Sequence, residues 1–202
     1  MSTGDRGLVA RASRGDVEAF RKLVQEHSGL VYRMALRMLG REDAQDASQE
    51  IWVQVWRNMK SFREESAFST WLHRITVNTC LSFRQRESRR EKRELGGETL
   101  CLSEPTGEDT NPEAAVLSAE RREEIQMALQ NVREEYRSAL VLRHMEDLSY
   151  AEIAEVLDVP EGTAKGWAFR GRAAMLIVLN QGRAPAGVKQ GDAREGASQE
   201  DL

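Results

Sequence analysis

Residues 148–179, LSYAEIAEVLDVPEGTAKGWAFRGRAAMLIVL, carry the punctuation of a helix-turn-helix and decide the reading of the chain as helical. Ser149 stands where a hydroxyl can accept from the free N–H groups of a first turn, so it is expected to cap a short helix over residues 150–157. Ile153, Ala154 and Leu157 then point inward. Asp158, Val159 and Pro160 make the turn, with Pro160 at the entry of a second helix, where its missing N–H costs nothing. On that helix Ala164, Ala168, Gly171 and Met175 align on one face, whereas Thr163, Lys165, Gly166, Phe169 and Arg170 project away and Trp167 lies at one edge. A helix offering hydroxyl, ammonium and guanidinium groups near its N-terminus suits a DNA major groove. Such helix pairs also arise in all-helical proteins that never meet DNA, so the function has to be read from the rest of the chain.

Composition agrees with an all-α fold. The 202 residues include four prolines, many Ala, Leu, Glu and Arg, and few β-branched clusters. Charge segregation favours two small helical domains over one large one: residues 1–93, then an acidic flexible linker over 94–113, a second domain over 114–180, and a disordered tail over 181–202. The net charge of −4 does not by itself predict a nucleic-acid partner; its distribution matters more. Cys80 and Cys101 are far apart, with no CxxC or Cys/His cluster, so neither a disulfide framework nor a metal site is expected, and no cofactor is implied. The first residues lack a signal-peptide core and no apolar run is long enough to span a bilayer, so a cytoplasmic protein without membrane insertion is expected.

Along the chain, residues 8–14 and 17–39 read as two helices, with Asp16 as N-cap of the second and Gly40 closing it. His27 falls on the apolar side as a packed histidine. Between residues 43 and 59, Ala44, Ala47, Ser48, Ile51, Val55 and Met59 share one side of a helix. Asp46, Gln49, Glu50, Val53 and Arg57 share the other, with Trp56 at its margin; acids and amides around an exposed valine form either a partner surface or an ordinary acidic helix face.

The stretch 61–93, SFREESAFSTWLHRITVNTCLSFRQRESRREKR, begins as a polar loop and ends basic. Seven Lys/Arg against two Glu over residues 74–93 leave a local charge of +5. Phe62 closes the preceding helix, and Ser66 or Ser69 can cap the next. Phe68, Leu72, Ile75, Thr79 and Phe83 make its buried stripe; Thr70, Arg74, Val77, Asn78, Leu81 and Arg84 look outward, and Trp71, near the loop, packs or stacks. A cationic helix with aromatics at its entry and an exposed amide meets the needs of single-stranded nucleic acid, although a solvated charged helix end has the same composition. Residues 94–113 then hold six acids and no base, and further helices are expected from Glu113 or Ser118 to Asn131 and over residues 134–145.

With both modules in place, the chain resembles an extracytoplasmic-function (ECF) sigma factor of bacterial RNA polymerase, of the sigma-70 family. The resemblance rests on DAQDASQEIWVQVW (residues 43–56), SFREESAFSTWLHRITVN (61–78) and LSYAEIAEVLDVPEGTAK (148–165) in that order. It implies a region 2 bundle that docks through Asp46, Gln49, Glu50, Val53 and Arg57 on the β′ coiled coil of core polymerase. The same bundle would read and melt the −10 element through Phe62, Ser66, Phe68, Thr70, Trp71, Arg74, Asn78 and Arg84. Region 4 would read the −35 element through Thr163, Lys165, Gly166, Trp167 and Arg170 and meet the β flap. An anti-sigma factor would hold the protein inactive. Gly166, Trp167 and Ala168 depart from the family's small polar residue, Arg and Leu, so the family's −35 preference does not transfer.

A stand-alone helix-turn-helix regulator is the alternative; it would need no exposed acidic face at Asp46, Gln49 and Glu50. An enzyme is not supported: His27, His73 and His144 are scattered, and there is no Gly-rich phosphate loop.

Overall fold

The computed structural model describes residues 3–62, 67–91 and 112–182. Ser66, Cys101, most of the acidic linker and the tail beyond residue 182 therefore lie outside the described residues. All regular structure among the described residues is helical, in eight helices and one 3₁₀ turn: α1 (Thr3–Ala12), α2 (Val17–Leu39), α3 (Arg41–Asn58), the turn Met59–Ser61, α4 (Phe68–Glu91), α5 (Pro112–Gln130), α6 (Glu134–His144), α7 (Tyr150–Leu157) and α8 (Glu161–Gly182).

Local chemistry explains most boundaries. Asp16 caps α2, its carboxylate accepting from Ala19 N at 3.0 Å and pairing with Arg11 at 2.7 Å. That backbone hydrogen bond, reinforced by Arg11, holds the carboxyl below its ordinary value. Gly40 ends α2 at φ 100°, a conformation that favours glycine, and donates to the Leu36 carbonyl at 2.9 Å; α3 begins at the next residue. Helix α4 starts at Phe68, so Ser69 lies inside its first turn rather than before it. Ser149 caps α7 in a reciprocal box with Glu152, and Asp158 leaves α7 in the left-handed region at φ 54°. Helix α8 runs on to Gly182, past the expected end of the second domain.

The first module packs α1 to α4 around Leu23, Val31, Met34, Ile51, Val55 and Leu72. Each such side chain contributes about 1.5–3 kcal/mol through its removal from water. In the second, α5 to α8 close over Leu129, Leu142, Ile153, Val156, Ala164 and Ala168.

The two modules also pack against one another, α5 and α6 on α2 and α7 on α4. The helical period predicts one buried stripe on α4. It has two: Phe68, Leu72, Thr76 and Thr79 face their own module, while His73, Val77 and Cys80 form a second buried line at helical spacing, continued by half-buried Arg84. Thr70 and Val77, expected outward, are buried for this reason.

Candidate polymerase and nucleic-acid interfaces

Three surfaces emerge from this packing. The first is the face of α3 opposite its core residues. Asp46, Gln49, Val53 and Arg57 are exposed there, Val53 at 46%, with Trp56 at 37% on the margin. Glu50 is half-buried because Arg86 of α4 reaches it as an ion pair, and that bond raises the Arg86 pKa above its ordinary value. Beside this face Phe20 meets Trp56 at 4.7 Å and Trp52 edge-on at 6.0 Å. Periodicity had not singled out this aromatic cluster, since Trp52 falls between the two sides of the helix.

At the entry of α4, Phe62, Phe68 and Trp71 form a second cluster. Their ring centroids lie 5.1 Å apart for Phe62 and Trp71, 6.0 Å for Phe62 and Phe68, and 5.7 Å for Phe68 and Trp71. His27 of α2 meets Phe68 edge-on at 5.4 Å. Phe68 is buried and supports the other two rings, which keep part of their surface in solvent. Arg74 and Asn78 are exposed and follow each other by one helical turn. Arg84 instead turns toward the second module, 3.3 Å from Glu134 and 3.0 Å from Gln130. The expected nucleic-acid residues thus divide into an exposed pair (Arg74, Asn78), two half-buried rings packed against the core (Phe62, Trp71), a buried pair (Phe68, Thr70) and one member held by the other module (Arg84).

The third surface is the outer face of α8. Lys165, Phe169 and Arg170 are exposed, Phe169 at 75%, and the Arg170 guanidinium sits 5.9 Å from the Tyr136 ring centre. Thr163 is half-buried near the N-terminus of the helix, and Trp167 packs partly against the core. A Cβ on Gly166 would meet nothing within 4 Å. Gly171, on the opposite side, is packed tightly on α6.

The Sigma-70 region 2 family matches residues 23–90, and the Sigma-70 region 4 family matches residues 122–175. Over 172 residues the chain is 36% identical to the ECF RNA polymerase sigma-E factor of Haemophilus influenzae, covering 83% of this chain and 91% of that protein. The chain belongs to the ECF sigma factors of RNA polymerase. The Escherichia coli sigma-E factor is 35% identical over 175 residues, with coverage of 85% and 92%. Among solved structures, CnrH in complex with the cytosolic domain of CnrY superposes with a TM-score of 0.61 at 26% identity, covering 89% of this chain and 99% of CnrH. The sigma factor RpoE bound to the anti-sigma factor NepR from Bartonella quintana gives a TM-score of 0.64 at 18% identity over 80% of this chain and 96% of that one, a likeness of fold.

As an ECF sigma factor the chain is a non-enzymatic transcription-initiation subunit, with its DNA-binding helix-turn-helix in region 4. None of its described helices is long and apolar enough to cross a membrane.

Proposed function

We propose that this ECF sigma factor binds core RNA polymerase through the outer face of α3 and directs initiation at promoters read by α4 and α8. The observation that carries the reading is the exposure of Asp46, Gln49, Val53 and Arg57 together on a helix whose other side is fully buried. Exposed valine within a rim of acid, amide and guanidinium fits a docking surface for a charged helical partner, the β′ coiled coil. An extruded base of the −10 element stacks on the part of Phe62 and Trp71 that stays in solvent; Asn78 offers an amide to its edge and Arg74 a charge to the backbone. Thr163, Lys165, Gly166 and Arg170 meet the −35 element in the major groove, with Trp167 bracing the helix. The β flap engages region 4, and an anti-sigma protein masks these surfaces; that the similar CnrH is held in a complex with the cytosolic domain of CnrY supports a protein partner of this kind. The site of action is the cytoplasm, where polymerase and promoters are.

Reconstitution with core polymerase tests this. Genomic start-site mapping should show a discrete promoter set, and Asp46→Lys should abolish polymerase binding while leaving α8 able to bind duplex −35 DNA. Duplex binding without any stimulated start site would favour the stand-alone regulator.

A further inference from the structure

Gly171, buried on α8, lies against the Tyr136 carbonyl and the Leu140 side chain of α6, with no room for a Cβ between them. This close crossing carries the residue before it, Arg170, over the first turn of α6, and sets the Arg170 guanidinium within reach of the half-buried Tyr136 ring, 5.9 Å from its centre.

The other arginines that meet tyrosine rings in this module are also held elsewhere. Arg133, from the turn before α6, lies 5.3 Å from the same ring centre and pairs with Glu135 at 3.4 Å. Arg143 lies 4.9 Å from the Tyr150 ring centre and donates to the Leu148 carbonyl at 2.8 Å. Arg170 differs: among the described residues neither a carboxylate nor a hydrogen-bond acceptor takes its guanidinium. The Tyr136 ring alone steadies it.

The chemistry of that partner matters. An exposed arginine loses much rotamer freedom when a base edge fixes it, and a group that holds the side chain beforehand removes part of this cost. A carboxylate would hold it while occupying the fork of N–H donors that a base edge needs. A ring face attracts the cation and leaves those donors free. We infer that Tyr136 is a positioning residue for the −35 contact. It holds the Arg170 guanidinium on the outer face of α8 with its donors open to a base edge, guanine being the base whose paired acceptors fit that fork. Tyr136 belongs to α6 and not to the helix that enters the groove, so it acts on promoter choice through Arg170. The inference rests on the assignment of Arg170 to the −35 element.

Reconstituted holoenzyme, assayed on promoters in which each −35 position is changed in turn, tests it. Arg170→Ala should remove discrimination at one position. Tyr136→Leu, which keeps an apolar side chain on α6, should lower discrimination at that same position about two- to fivefold, the range of an exposed cation–ring contact, and leave the other −35 positions and the −10 element unchanged. Tyr136→Phe, which keeps the ring, should behave as the wild type. In the Arg170→Ala background, Tyr136→Leu should have no further effect on discrimination. A partly unfolded variant would weaken every promoter alike, so a position-specific loss separates positioning from stability. Unchanged discrimination in Tyr136→Leu, an equal loss at all positions, or Tyr136→Phe as impaired as Tyr136→Leu would overturn the positioning role while Arg170 keeps its assignment. If Arg170→Ala leaves every position unchanged, the assignment of Arg170 falls and the positioning role falls with it.

Discussion

The carbonyl oxygen of Tyr136 lies 2.6 Å from the point where a Cβ on Gly171 would stand. Helix α8 is thus pressed onto the backbone of α6, where no rotamer change can make room. Gly171→Ala should destabilise the second module by about 1–3 kcal/mol, as overpacking does. Gly166→Ala, with nothing within 4 Å, should instead stabilise it by about 0.5–1 kcal/mol through helix propensity. Urea denaturation of the two variants should move the midpoint in opposite directions.

Ser149→Ala should cost about 1 kcal/mol of stability, measured by thermal unfolding. The Glu152 carboxyl is lowered first by the Ser149 hydroxyl and then by its backbone N–H. Because the folded pKa is depressed, the box contributes fully above the ordinary carboxylate value and is lost as pH falls through the folded one. Unfolding of the wild type should therefore lose more stability on acidification than that of Ser149→Ala, which keeps only the backbone N–H to Glu152; parallel pH profiles would contradict this.

Promoter selection should separate two kinds of contact on α4. Asn78, exposed beyond the aromatic cluster, is expected to change which promoters are preferred when replaced by Ala. Arg89, exposed on the basic end of the same helix, is expected on Arg89→Ala to weaken all promoters about equally and to flatten the salt dependence by about one unit of slope. A promoter panel assayed at several salt concentrations discriminates; the reverse pattern would overturn the division.

Ile51 sits at the centre of the first module, fully buried on the side of α3 opposite Val53. Ile51→Ala should cost about 2–5 kcal/mol of stability, whereas Val53→Ala should leave stability nearly unchanged and reduce affinity for core polymerase. Comparing unfolding midpoints with polymerase pull-down separates the two faces of one helix.

These contrasts show where the sequence was legible. Ile51 and Val53 could be assigned to opposite faces because α3 has one packed side, so the 3.6-residue period leaves a single pattern. The helix-turn-helix was equally plain, since Ser149, Asp158 and Pro160 act within a few residues of themselves. The seam where α5 and α6 meet α2 was not. Gln126 and Gln130 are polar whether they face solvent or, as here, donate to the last carbonyls of α2, and buried Arg137 looks like any surface arginine, because guanidinium burial is rare enough that a pattern never proposes it. Val77 was misplaced for a related reason: a helix packed on two sides has no free face against which a period can be phased. The acidic linker and Ser66 lie outside the described residues, so the expectations attached to them stand as sequence readings.

Cys80 gives the second stripe of α4 a practical use. Burial pushes its thiol up to about 12, with Arg137 of α6 pulling the other way, so almost no thiolate is present at neutral pH. Any motion that uncovers this stripe should return the thiol toward ordinary reactivity. In the Cys101→Ser protein, the alkylation rate of Cys80, read by mass spectrometry, thereby reports how often that stripe is uncovered.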